Sequence, residues 1–278
     1  MTTQTQFSGF LGLLACLGLT GCLVNPFDPV MFYNFLPNGR TKPVRASEIF
    51  ASADGKEMAW AIVWRNRAKI KKLAASPALV NLRGPHEITP LWLAVELRDR
   101  ESVRLLLEAG ADPSIQMDDV YPVLISALTQ EEYHGEDGIF DLLMDYGADP
   151  NIEYRTSGTA TPAIFYADYS KKKIKRLMDA GADINATDDR GSTPVTLKAH
   201  SHRVSRVLFY LELGADWRKP TFGGRDLLGC MDRQIFYGAS DRQRLEPIYQ
   251  WLRDHGQIDA RNQPLPAQAT PEKGTSAP

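Results

Sequence analysis

Residues 89–113 read TPLWLAVELRDRESVRLLLEAGADP, and this stretch decides the fold. It opens on Thr89-Pro90 and closes on Gly110-Ala111-Asp112-Pro113. A Thr hydroxyl can cap free helix amides, and Pro at the first helical position forfeits no bond. Val103, Leu106 and Leu107 fall at helical spacing, and Gly110 can take the left-handed conformation that ends a helix. Ala111 and Asp112 then start a turn. Both landmarks recur. The glycine motif returns as Gly147-Ala148-Asp149-Pro150, Gly181-Ala182-Asp183-Ile184 and Gly214-Ala215-Asp216-Trp217, at spacings of 37, 34 and 33 residues. The opening returns as Tyr121-Pro122-Val123, Thr161-Pro162-Ala163 and Thr193-Pro194-Val195, each proline lying 19 to 25 residues before its glycine. Ile139, Leu142 and Leu143 repeat the apolar spacing in the next unit.

This pattern is similar to the ankyrin repeat, a unit of about 33 residues with a β-turn and two antiparallel helices. The resemblance implies an all-α, ankyrin-repeat solenoid of six helix-turn-helix units with short β-turn fingers. The units fall near residues 54–81, 82–114, 115–151, 152–185, 186–218 and 219–260, in a repeat domain over 45–260. The first and last are degenerate, as terminal units that meet water on one side should be. Pro77-Ala78 stands where Gly-Ala belongs in the first, and Gly256 closes the last. The small residue of the helix crossing also shifts: Ala94 lies four positions after its proline, Ala167 and Ala199 five. Tyr166 and Lys198 take the earlier slot there. Residues 129–137 (TQEEYHGED) add length between the helices of the third unit, and the long connection from Asp149 to Pro162 implies a projecting finger.

Working outward, the ends differ in kind. Residues 1–21 hold no Asp, Glu, Lys or Arg, and Phe10–Leu19 is apolar, too short to span a bilayer and suited to an export signal. Leu19-Thr20-Gly21-Cys22 resembles a bacterial lipobox, although the usual Lys or Arg before the apolar run is missing. That resemblance implies cleavage before Cys22, lipidation of Cys22 and attachment to the membrane through the lipid. Leu23, where Asp would favour inner-membrane retention, points to the periplasmic face of the outer membrane. Residues 22–44, rich in Phe and Tyr, are expected as a linker or cap, and 261–278, rich in Pro, as a disordered tail.

Over 278 residues the net charge is −2, with 43% hydrophobic and 24% charged residues. This balance excludes a nucleic-acid-coating role, which needs a basic excess. Three cysteines are too few for a disulfide framework. No G-x-S-x-G, phosphate loop or H-E-x-x-H occurs, so no enzyme, cofactor or metal is expected. His200 and His202 read as solvated histidines rather than ligands, since nothing completes a site. Glu131, Glu132, Glu136 and Asp137 read as a solvated acidic loop, with a cation site or a hydrolase as the weaker alternatives. Lys171-Lys172-Lys173 reads as an exposed helix start, and Cys230 as a buried thiol rather than a nucleophile.

The ankyrin resemblance also implies contact positions on a concave face and its turn tips. These are Pro85, His86, Ile88 and Glu96; Met117, Asp118 and Val120; Asp168, Tyr169, Asp189, Arg190 and His200; and Thr221, Phe222 and Arg233. The leading expectation is a monomeric, lipid-anchored, non-catalytic module that binds a protein partner. A narrower version, resting on analogy, is an immunity or inhibitor lipoprotein that blocks a toxic effector. The alternative is a structural or assembly partner of a periplasmic enzyme.

Overall fold

Each closing glycine does the same work. Gly110, Gly147, Gly181 and Gly214 have φ of 90°, 79°, 99° and 87°, a region only glycine enters without strain. In each case the next amide reaches back to close the helix. Ala111 N–H donates to Leu106 O (2.9 Å), Ala148 to Leu143 (3.0 Å), Ala182 to Leu177 (2.9 Å) and Ala215 to Tyr210 (3.0 Å). The following aspartate then turns the chain, its carboxylate accepting from the amide two residues on: Ser114, Asn151, Asn185 and Arg218, at 2.8–2.9 Å. Neighbouring turns are stapled side by side. Asp112 N–H donates to Asn81 Oδ1 (2.8 Å), Asp149 N–H to Ser114 Oγ (2.9 Å), and Asp216 N–H to Asn185 Oδ1 (2.8 Å).

The computed structural model describes residues 30–35, 41–45, 48–117, 119–156, 158–167, 170–200, 203–235 and 239–265. Two compact units, Met1–Tyr169 and Ser170–Pro278, divide the chain. In the first unit the helices come in pairs: α1 (Ala53–Val63) with α2 (Arg67–Ala74), followed by the single turn α3 (Pro77–Val80); α4 (Pro90–Glu96) with α5 (Arg100–Glu108); and α6 (Val123–His134) with α7 (Ile139–Asp145). The first helices α1, α4 and α6 pack in one row and the second helices α2, α5 and α7 in another. Between the rows lie Ile62, Leu93, Ala94, Leu106, Ile125, Phe140 and Leu143, all fully buried. No pair could shield this surface alone, which is why the pairs stack. Starts are capped locally: Ser52, Asn66, Thr89 and Asp99 each accept from an amide three residues on.

The second unit holds α8 (Lys171–Asp179), α9 (Pro194–His200), α10 (Val204–Glu212), α11 (Leu227–Ile235) and α12 (Ala239–Asp254). Here α9 packs on α10 and α11, and α12 on α10 and α11. Val195, Ala199, Val207, Tyr210, Leu227, Met231, Leu245, Ile248 and Leu252 form its core, with the Cys230 thiol buried in α11.

The helical-repeat expectation is met, with additions. Two antiparallel hairpins join the helices: β1 (Val30–Phe35) with β2 (Thr41–Arg45), and β3 (Glu153–Thr156) with β4 (Thr159–Pro162). Aromatic and β-branched residues favour β1 as a strand. The second hairpin has a larger effect. Thr161 and Pro162 pair with Tyr154 and Glu153, so they cannot open a full helix, and the first helix of this repeat shrinks to a 3₁₀ turn over Ala163–Tyr166. The boundary between the two compact units falls just after that turn.

The acidic insertion is also corrected. Its extra residues lengthen α6 to His134. Glu131 is buried and caps α7, accepting from Phe140 N–H at 3.0 Å. Asp137 accepts from Ile139 N–H (3.0 Å) and pairs with Arg98 Nε (3.0 Å), while Arg98 Nη2 donates to Gly135 O (2.9 Å). Glu131 and Asp137 thus hold helix ends together as structural groups, while Glu136 is exposed as expected. Lys173 is likewise buried, although α8 does begin at Lys171.

Candidate partner-binding site

Two turn tips in the second unit meet side by side. In the first, Asp188 Oδ1 accepts from Arg190 N–H (2.9 Å) and Ser192 N–H (2.8 Å), fixing a tight turn that exposes Asp189 and Arg190. In the second, Thr221 N–H donates to Arg225 O and Gly224 N–H to Thr221 O, both at 2.8 Å. A bond from Phe222 N–H to Arg190 O (3.3 Å) ties the tips. Gly191, at φ 67°, makes the approach possible: a Cβ there would stand 2.6 Å from the Phe222 ring. Phe222 is nevertheless 78% exposed, more than any other large apolar side chain among the described residues. A preformed turn therefore displays an aromatic ring beside an exposed Arg and Asp. That combination suits a protein interface, because little conformational entropy is lost when the ring is buried.

The first unit carries a second cluster that the sequence did not disclose. Tyr121, Tyr154 and Tyr166 pack edge to face, with centroids 4.4, 5.4 and 6.5 Å apart, and all three are half-buried. Trp92 Nε1 donates to Tyr121 O (2.9 Å) from α4. Burial, with smaller contributions from neighbouring charge, pushes the Tyr121 hydroxyl up to about 12 and those of Tyr154 and Tyr166 upward as well. The hydroxyls thus stay protonated and able to donate. The one sequence signal was Tyr166 in a slot meant for a small residue.

The sequence-derived contact positions divide. Asp189, Arg190, Thr221 and Phe222 come together at the tips just described, with Thr221 half-buried. Pro85 is exposed, and His86 (φ 57°) and Val120 are half-buried. Ile88 and Met117 are corrections: both are fully buried, so their side chains fill the core beneath the tips and reach no partner. Glu96 is a third. It lies buried on α4 against α6, where Gln130 Nε2 donates to its Oε2 (3.2 Å) and Oε1 has no hydrogen-bond partner among the described residues. Desolvation outweighs the lowering effect of Ser126 and Gln130 and raises the Glu96 carboxyl to about 7. Cys22, Asp118, Asp168, Tyr169 and His202 lie outside the described residues, as do the side chains of His200 and Arg233. Among the described residues no group of three His, Cys, Asp or Glu side chains is arranged to hold a metal ion, and no helix is long and apolar enough to cross a membrane.

Comparison with known proteins agrees with this architecture. The family model described as Ankyrin repeat matches residues 86–118. Protein PhlB of Serratia liquefaciens is 30% identical over 122 residues, 44% of this chain and 52% of PhlB, so the match spans about half of that relative. Among solved structures, one similar chain comes from the Bd0816 predatory endopeptidase of Bdellovibrio bacteriovorus in complex with immunity protein Bd3460. It has a TM-score of 0.56 and 18% identity, covering 71% of this chain and 98% of that one. The ankyrin repeat domain of Bcl-3, of the IkappaB protein family, has a TM-score of 0.53 and 22% identity, covering 62% of this chain and 76% of that one. The fold is that of ankyrin repeats.

Proposed function

We propose that this chain is a non-catalytic module that holds a protein partner against its turn tips. The observation that carries the reading is Phe222, an aromatic side chain kept in the open by a backbone bond to the neighbouring tip. Arg190 and Asp189 beside it supply the charge selectivity. Within this reading the partner is an envelope enzyme that the module inhibits, and lipid on Cys22 keeps the two on the same surface. A chain of similar fold occurs in a complex pairing an endopeptidase with an immunity protein, and the lipobox-like segment at 19–22 fits the anchor.

Co-purification with an effector encoded beside this gene tests the reading. Phe222→Ala combined with Arg190→Ala should weaken the complex about 100-fold, as the loss of two interface anchors does. Unchanged affinity would count against the tips. Labelling cells with radioactive fatty acid tests the anchor: the protein should take up label and the Cys22→Ser variant should not.

A further inference from the structure

We propose that the α1–α2 helix pair is a docking surface for an anionic lipid bilayer. Residues 53–75 hold six cations (Lys56, Arg65, Arg67, Lys69, Lys71, Lys72) against two carboxylates (Asp54, Glu57), a local net of +4 in a chain of net −2. Arg67 is engaged by Asp99 and Lys69 by Glu57. Lys56, Arg65, Lys71 and Lys72 are exposed and form no ion pair among the described residues. Glu101 on α5, within electrostatic reach of Lys71, is itself engaged by Arg104.

The cations flank an aromatic pair. Trp60 and Trp64 stack with centroids 6.3 Å apart and planes 14° apart, and Trp64 is 52% exposed. Lys56, Trp60 and Trp64 follow one another at four-residue steps and so share one side of α1. Lys69 and Lys72 share one side of α2, and the Glu57–Lys69 ion pair fastens the two sides together. The result is a pair of indoles bordered by unpaired lysines. Indoles favour the headgroup level of a bilayer, while long cationic side chains reach anionic headgroups without a fixed geometry.

This inference deepens the anchored reading and rests on it. A lipid on Cys22 would sit 31 residues before α1, so α1 and α2 are the described helices nearest the anchor along the chain. A basic patch adds to acyl-chain anchoring and is one of the second signals that steady a lipid-tethered protein on a membrane.

The test uses the full chain carrying Cys22→Ser, with no acyl group, and sedimentation with phosphatidylglycerol or phosphatidylcholine vesicles. The apolar segment Phe10–Leu19 contributes equally to both vesicle types, so the difference between them isolates the patch. The chain should prefer phosphatidylglycerol by about 600-fold at low salt, given roughly fivefold for each of the four unpaired cations. Lys71→Gln with Lys72→Gln should lower that preference about 25-fold without altering binding to phosphatidylcholine. A blue shift of tryptophan emission on the anionic vesicles should shrink in Trp64→Phe, which leaves Trp60 alone to report it. These positions are exposed, and an unchanged circular dichroism spectrum checks that each variant folds. Equal partitioning into both vesicle types, or an unaffected double variant, overturns the proposal. So does retention on polyglutamate without vesicle binding, which would assign the patch to an acidic protein. Failure of the anchor reads out separately, as absent fatty-acid label in cells.

Discussion

Glu96 makes the repeat stack sensitive to pH. Its carboxyl rises from an ordinary 4.5 to about 7, because burial between α4 and α6 removes water that Gln130 replaces at one oxygen only. A carboxyl that holds its proton more tightly when folded stabilises the fold fully below its unfolded value, and that contribution is lost as pH rises through 7. A shift of this size corresponds to about 3 kcal/mol at alkaline pH, most of it lost between about pH 5 and about pH 8. Glu96→Gln removes the titrating group, keeps the shape and can still meet Gln130. Urea unfolding should therefore show the parent chain about 2 kcal/mol less stable near pH 8 than near pH 5, and the variant nearly level across that range. At pH 8 the variant should be the more stable protein, with an unchanged denaturant slope. If both proteins follow the same pH curve, Glu96 is not the buried acid described here.

Three further outcomes follow from the packing. Asp99→Ala removes a buried carboxylate that binds Arg67 Nη2 (2.7 Å) and Ser102 Oγ (2.6 Å); with Arg67 partly solvated, the cost should be about 2 kcal/mol by thermal or urea unfolding, and a negligible loss would contradict the network. Gly191→Ala places a methyl group against Phe222 at φ 67°, so amide exchange at Phe222 should accelerate while helix amides keep their protection; unchanged exchange would refute the tie between the tips. Spectrophotometric titration should find at least three of the ten tyrosines ionising above the ordinary value of 10.0, and Tyr121→Phe should reduce only this late step.

What the sequence made legible was local. The glycine closures, aspartate turns and threonine caps each depend on residues a few positions apart, so their repetition exposed the paired helices directly. The long connection from Asp149 to Pro162 does form a finger, the β3–β4 hairpin, but its reach into Thr161-Pro162 was hidden because that pair also satisfies the pattern of a helix opening; only pairing with Glu153 and Tyr154 decides between the two uses. The contact positions show a similar limit. Distance from a landmark gives a residue's place on a finger but not the direction of its side chain, which is why Phe222 emerged in the open while Ile88 and Met117 went into the core. Glu96 was misread for the same reason: whether a carboxylate faces solvent depends on the neighbouring helix that supplies Gln130. The three tyrosines come from a loop, a strand and a 3₁₀ turn, and no spacing links them.

The most direct test of the binding account is site-specific photo-crosslinking in cells, with a benzophenone amino acid placed at residue 222 or, as a control in the same compact unit, at the exposed Glu212 of α10. The account predicts one discrete adduct of higher mass from position 222 and none from 212. Adducts from 212 alone would place the working surface on the second helices and contradict it.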